Sequence, residues 1–385
     1  MNNYFWKKKR VFITGHTGFK GSWLCLWFYL MGAEVVGYAL QPPTRPSLFK
    51  LCRIDKLVKS IIGDVRDLKK LKRAMLAAKP EIVFHMAAQP IVRESYKVPV
   101  DTFNINVVGT VNVLEAARSC RSIKVIVNVT TDKVYEESNE NRVTSNGYKE
   151  SDKLGGYDPY AGSKACSEIV SSVYRRSYSM NIATARAGNV IGGGDWAGDR
   201  LIPDFVRALI SKRKVKLRNP KATRPWQHVL EPLSGYLMLA EKLYKKADKY
   251  SGAWNFGPDD RDSKTVGWVV NKLMKKLKVK NMVQIDKKKH PHETKLLKLN
   301  SKKSRKELGW RPKWGIDKAI DKIVEWTNAY QRRENVASVC MKQIEEYPSP
   351  RLVLDRLGLG TPLHKVERGK EGMRQKGVVC KRKRN

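Results

Sequence analysis

Three glycines, Gly15, Gly18 and Gly21, stand between a short apolar run, Arg10 to Thr14 (RVFIT), and a longer one, Trp23 to Met31. A strand that enters a helix through glycines three residues apart has few folds open to it. Glycine accepts positive φ in the turn and lets backbone N–H groups come close to a ligand, and the helix N-terminus behind them favours negative charge. The pattern predicts a dinucleotide pyrophosphate site at the first strand–helix junction of a parallel α/β sheet.

The rest of the first half repeats that alternation. Glu34 to Tyr38, Ser60 to Asp64, Glu81 to His85, Lys124 to Val129 and Met180 to Arg186 read as short buried strands, with a helix around Val107 to Ser119 among those between them. Strands that are apolar on both faces and separated by helices predict a doubly wound, Rossmann-type sheet. Residues 1–190 are expected to form the dinucleotide lobe, with 229–260 returning to it. The glycine-, charge- and proline-rich text from Ile191 opens a smaller substrate lobe, 191–347, and a basic, poorly ordered tail is expected over 348–385.

Composition narrows the class. The apolar run Trp23 to Met31 is too short to cross a bilayer, and the basic opening lacks the cleavage site of a secretory signal. The six cysteines are scattered without a C-x-x-C pair, against a zinc site or a disulfide framework, and His290 and His292 are not read as metal ligands. The expectation is a soluble cytoplasmic protein without a metal. A net charge of +39 suggests a polyanion partner. The lysines are nevertheless spread along surface helices, as a solvated face is, so a nucleic-acid role is disfavoured; the field would attract an anionic small molecule.

Two further clusters carry chemistry. Tyr160 and Lys164 are one helical turn apart, on one face. A tyrosine becomes a useful base near neutral pH only when positive charge favours its phenolate, which Lys164 and an oxidised nicotinamide would supply. Thr131, Asp132 and Lys133 follow the strand that ends at Val129, where a parallel sheet opens its ligand crevice. Asp64 and Val65 follow another strand and could meet the adenine. At the 2′-position Gln41 suits a hydroxyl and Arg45 a phosphate, which leaves NAD and NADP both open, with NAD preferred.

With these clusters in place, the chain resembles the extended short-chain dehydrogenase/reductases, in their nucleotide-sugar dehydratase branch. The stretches are GHTGFKGSWL (15–24), HMAAQPIVRESY (85–96), TTDKVYE (130–136), YDPYAGSKACSE (157–168), RAGNVIGGGDWAGDRLIPD (186–204), RPWQHVLEPLSGYL (224–237) and HETKLLKLN (292–300). The resemblance implies NAD held by Gly15, Thr17, Gly18, Phe19, Gly21, Asp64, Val65, Ala87, Ala88, Gln89, Tyr160 and Lys164. It implies that CDP-glucose loses water to give the 4-keto-6-deoxy sugar, with Tyr160 as base, Thr131 orienting the 4-hydroxyl and Asp132 as acid to the 6-hydroxyl. Lys133 stands where dehydratases of dTDP-glucose carry glutamate, so the C5 base is left open between Lys133 and Glu136. Asn189, Arg200 and Arg224 are expected on the diphosphate, with Trp226 or His228 shaping the nucleotide pocket, and a homodimer or higher homo-oligomer is expected. A 4-epimerase of the same family is the alternative, though it would need no acid at Asp132.

Overall fold

The computed structural model describes residues 3–137, 146–286 and 297–348. Apolar runs without polar alternation are buried on both faces, and they form the middle of one parallel sheet. Its strands are β1 (Arg10–Thr14), β2 (Glu34–Ala39), β3 (Lys59–Ile62), β4 (Ile82–His85), β5 (Val125–Val129), β6 (Ile182–Arg186) and β7 (Gly252–Asn255). Their order is β7-β6-β5-β4-β1-β2-β3, parallel at every junction. All residues of β4, β5 and β6 are buried, while edge strand β3 keeps none of its four fully buried.

The chain runs outward from β1 to β3 and then restarts at β4 on the other side of β1. At that reversal the carboxyl ends diverge and leave a crevice, the usual ligand position of a doubly wound sheet. Thr14 and His85, the last paired residues of β1 and β4, are joined there by a 2.7 Å hydrogen bond between Thr14 Oγ1 and His85 Nδ1.

Helices cover both faces. α1 (Phe19–Leu30), α6 (Leu230–Lys245), α8 (Ile316–Gln331) and α9 (Val336–Glu346) share one core with β1, β4 and β5. The opposite core is filled from α2 (Leu68–Ala78), α3 (Gly109–Arg118) and α4 (Pro159–Ser177). The helix expected from Val107 begins instead with a widened turn, Asn104–Val108. Buried Asn106 bonds there to Gln89 N and O and to Ser163 Oγ, tertiary contacts that a periodicity reading cannot foresee. α5 (Leu201–Ile210) and α7 (Val266–Lys276) contribute to the first of these cores as well, and short strand pairs such as Thr223–Pro225 against Ser263–Thr265 lie outside the main sheet. His290, His292 and the basic segment after Pro348 lie outside the described residues.

A buried carboxyl fastens the end of this chain. Glu231 on α6 accepts the backbone N–H of Trp314 (2.7 Å), that of Lys313 (3.0 Å) and the hydroxyl of Tyr347 (2.7 Å). Burial outweighs these donors and pushes Glu231 from 4.5 up to about 7. The folded state therefore binds its proton more tightly than the unfolded state, and this contribution to stability falls as pH rises from 4.5 to 7, by on the order of 3 kcal/mol at most. Glu231→Gln points an amide NH2 at the same donors. It is expected to destabilise by about 1–3 kcal/mol and to flatten that pH slope, read from urea unfolding at pH 5 and pH 7. Parallel slopes for the two proteins would contradict the assignment.

Candidate active site

The glycine loop is shaped so that side chains cannot enter it. Gly15 has φ +79°, and a Cβ there would stand 2.7 Å from Ala87 N; one on Gly21 would stand 2.3 Å from Gly15 O. The space around Gly18 is open except for Gly15 O at 3.4 Å. This cradle at the start of α1 fits a pyrophosphate. Thr17 donates its hydroxyl to Leu40 O at the end of β2 (2.9 Å), closing the loop against the second strand.

The expected adenine end is less free than its sequence suggests. Burial pushes Asp64 up, but hydrogen bonds from Arg66 N, Nε and Nη2 at 2.7–2.9 Å outweigh it and hold the carboxyl below its ordinary range. Val65 is buried beneath α3, where Asn112 Nδ2 donates to its carbonyl (2.9 Å). Gln89 turns its amide to Thr102 Oγ1 (3.0 Å) and its carbonyl to Ile91 N (2.6 Å), so the side chain braces the loop after β4. Ala88 lines the main cavity; Ala87 packs on the glycine loop.

That cavity, about 560 Å³, lies at the carboxyl ends of β4, β5 and β6 and is lined by Phe19, Thr131, Asp132, Lys133, Tyr160 and Lys164. After β5 the chain makes a single tight turn, Asp132–Val134, capped by Thr131, whose Oγ1 accepts Lys133 N (3.4 Å) and donates to Asp132 Oδ1 (3.0 Å). α4 starts at Pro159, with Asp158 accepting Ala161 N (2.8 Å), so Tyr160 and Lys164 enter from the first two turns of a capped helix. Lys133 Nζ is 4.0 Å from the other oxygen of Asp158. Glu136 is exposed and lies outside the cavity lining.

Lys164 donates to Val129 O at 2.8 Å, and burial pulls its amine down to about 8 against the pull of Glu168. Burial pushes the Tyr160 phenol up to about 12, opposed by its hydrogen bond with Thr131 and by the charge of Arg200. Arg200 is thus one cation that acts on the phenol.

Beneath the turn lies a network that the sequence reading missed. Glu168, one turn beyond Lys164, is buried with Arg186 of β6 (2.9 Å) and accepts Thr130 Oγ1 (2.5 Å) and Thr184 Oγ1 (2.6 Å). Arg186 reaches on to Tyr135 Oη (2.8 Å), which donates to Asn255 Oδ1 of β7 (2.6 Å). Both ends of the turn are therefore tied to buried charge. The Tyr160-Lys164-Glu168 spacing, i, i+4, i+8, was the available signal.

On the far wall Asn189, Arg200 and Arg224 all line the cavity, as does Trp226, and Arg200 pairs with Asp195 (3.2 Å). His228 does not. The chain changes strand partner between Pro225 and Gln227, and the imidazole turns into the core between Trp23 and Trp314, where burial pulls it down to about 3. Lys20 and Asp195 line or face the cavity and were not singled out from sequence. Among the described residues, no group of three or more metal-ligating side chains could hold an ion, and no helix is long and apolar enough to cross a membrane.

Comparison with known proteins agrees with this architecture. A family model described as GDP-mannose 4,6 dehydratase matches residues 12–323. CDP-glucose 4,6-dehydratase of Salmonella typhimurium is 49% identical over 354 residues, 90% of this chain and 98% of that protein. GDP-mannose 4,6 dehydratase 1 of Arabidopsis thaliana is 27% identical over 86% of this chain and 92% of its own. Among solved structures, a dTDP-glucose 4,6-dehydratase from Streptomyces venezuelae with NAD bound superposes with TM-score 0.72 at 23% identity, covering 85% of this chain and 99% of that one. A UDP-glucose 4-epimerase from Thermotoga maritima gives TM-score 0.74 at 19% identity, over 83% and 99%.

Proposed function

The chain belongs to the GDP-mannose 4,6 dehydratase family, and from that membership we propose that it is an NAD-dependent nucleotide-sugar 4,6-dehydratase that converts CDP-glucose into CDP-4-keto-6-deoxyglucose and water. The observation that carries the reading is an acid, Asp132, one hydrogen bond from Thr131 and in one cavity with Tyr160 and Lys164. A 4-epimerase needs the oxidising pair but no acid, because nothing leaves C6. The cytidine preference is supported by the relative that is 49% identical. NAD is supported by solved dehydratases of the same fold that carry it.

When bound, the nicotinamide supplies a reversible acceptor for the C4 hydrogen, so C4 is oxidised and C6 reduced with no net redox change. Thr131 holds the 4-hydroxyl, and Tyr160 takes its proton, with Arg200 and the cofactor favouring the phenolate. Lys164 holds the cofactor ribose. Asp132, protonated, gives its proton to the departing 6-hydroxyl, while Lys133, as the amine, takes the C5 proton, its resulting ammonium stands against the enolate at C4 and C5, and the proton goes back to C5 when C6 is reduced. Asn189, Arg200 and Arg224 bind the diphosphate on the far wall.

Incubation of the purified protein with CDP-, dTDP-, UDP- and GDP-glucose, read by the alkali-induced absorbance of a 4-keto-6-deoxy sugar, tests this. Product from CDP-glucose alone is expected. A hexose epimer without keto product would replace the reading with the epimerase, and no reaction with any of the four would overturn it.

A cytoplasmic homodimer is part of the same proposal. Val100, Phe103 and Val108 before α3 and Ile169 and Val173 on α4 are exposed apolar side chains on adjacent helices, a face that a second copy would cover. The double variant Ile169→Glu, Val173→Glu is expected to be monomeric by light scattering; an unchanged mass would place the contact elsewhere.

A further inference from the structure

Lys20 has no part in the chemistry above, yet its side chain lines the same cavity as Asp132, Tyr160, Lys164 and Arg200. It is the second residue of α1, directly after the loop that cradles the pyrophosphate. Among the described residues no hydrogen bond or ion pair reaches its ammonium, which sits 5.9 Å from the centroid of the Tyr236 ring. A half-buried cation on the cavity wall without a direct hydrogen-bond partner is available to a charged ligand.

The groups that face it are known. Arg200 and Lys164 repel it, Asp132 and Asp195 attract it, and Tyr160 and Tyr236 complete the surroundings. Burial first, then the two cations, pull the amine down to about 8. Lys20, Lys164 and Arg200 thus place three positive groups around one end of the cavity. A dinucleotide with its pyrophosphate on the glycine loop and its nicotinamide at Tyr160 would lie along the wall that Lys20 helps to form. Its pyrophosphate carries the same charge in both redox states, but its nicotinamide is cationic when oxidised and neutral when reduced. Only the oxidised form is repelled.

We propose that Lys20 faces the nicotinamide end of the bound dinucleotide and that its charge favours the reduced form, helping to draw the C4 hydrogen from the sugar. The inference rests on the dinucleotide reading of the site. It assigns to Lys20 an electrostatic role distinct from those of Tyr160 and Lys164.

The test compares the dissociation constants of NAD and NADH, by NADH fluorescence titration and competition, for wild type, Lys20→Met and Lys20→Arg at pH 7. The ratio of the two constants is expected to move about tenfold toward NAD in Lys20→Met, the size of one unit-charge interaction in a partly solvated site, and to stay near wild type in Lys20→Arg. Below pH 8 the amine is charged and the bias is present; it is lost as pH rises through about 8. Lys164 titrates in the same range, so the difference between wild type and Lys20→Met isolates Lys20. Equal weakening of both forms, with the ratio unmoved, would place Lys20 on the pyrophosphate and overturn the proposal. A wild-type protein that binds neither form would overturn the dinucleotide reading itself.

Discussion

Asp132→Asn is expected to lower formation of the 4-keto-6-deoxy product about a thousandfold, the middle of the range for loss of a positioned general acid. Asparagine keeps the shape and can still accept from Thr131 Oγ1, which donates to Asp132 at 3.0 Å, so the turn that holds Thr131 should persist. What it lacks is a proton to give the 6-hydroxyl. The sugar should therefore still be oxidised at C4, and a single-turnover experiment should show the bound nicotinamide reduced and remaining so. Tyr160→Phe should behave oppositely, with no nicotinamide absorbance appearing at all, because the first proton is not removed. Wild-type turnover in Asp132→Asn would take Asp132 out of the mechanism. Loss of the absorbance in both variants would mean that Asp132 acts before elimination.

Gly188→Ala is expected to reproduce much of that loss from a residue with no side chain to offer the substrate. A Cβ at Gly188 would stand 1.7 Å from Asp132 Oδ2 and 2.1 Å from its Cγ. One of the two must move. The Gly188 carbonyl accepts Gln227 Nε2 at 3.0 Å, and Gln227 also donates to Phe256 O at 2.9 Å, so the backbone is held and the carboxyl is displaced. A hundredfold or greater fall in product formation is expected, with NAD affinity unchanged and a stability loss of about 1–3 kcal/mol for the overpacking. Full activity with reduced stability would show that the backbone had yielded.

The strands were legible because each is a contiguous β-branched or apolar run, and burial on both faces is what such runs require. β1, β4, β5 and β6 fall within a residue or two of expectation. The catalytic cluster was legible for a related reason. Strand ends and a helical i, i+4 pair fix where Thr131, Asp132, Tyr160 and Lys164 begin, and the sheet brings them together. Directions of loop side chains were not legible, since they depend on partners distant in sequence. Asp64 is engaged by Arg66, Gln89 by Thr102 and His228 by an aromatic core, while Lys20 enters the cavity. In the stretch RPWQHVLEPL, Arg224 and Trp226 line the cavity, whereas His228 and Glu231 serve the interior.

The buried Glu168–Arg186 pair bears on how this site can be transplanted. Thr130 and Tyr135, on either side of the catalytic turn, hydrogen-bond to opposite members of that pair, which sit on α4 and β6. The smallest portable unit is therefore not the heptapeptide TTDKVYE but the heptapeptide with its two charged supports. A chimera that exchanges the turn alone would inherit its chemistry without its posture. Removing only one support would leave an uncompensated charge in the interior, a defect worth several kcal/mol. Sequence change in this region should thus proceed in coupled steps, with α4, β6 and the turn exchanged as one block.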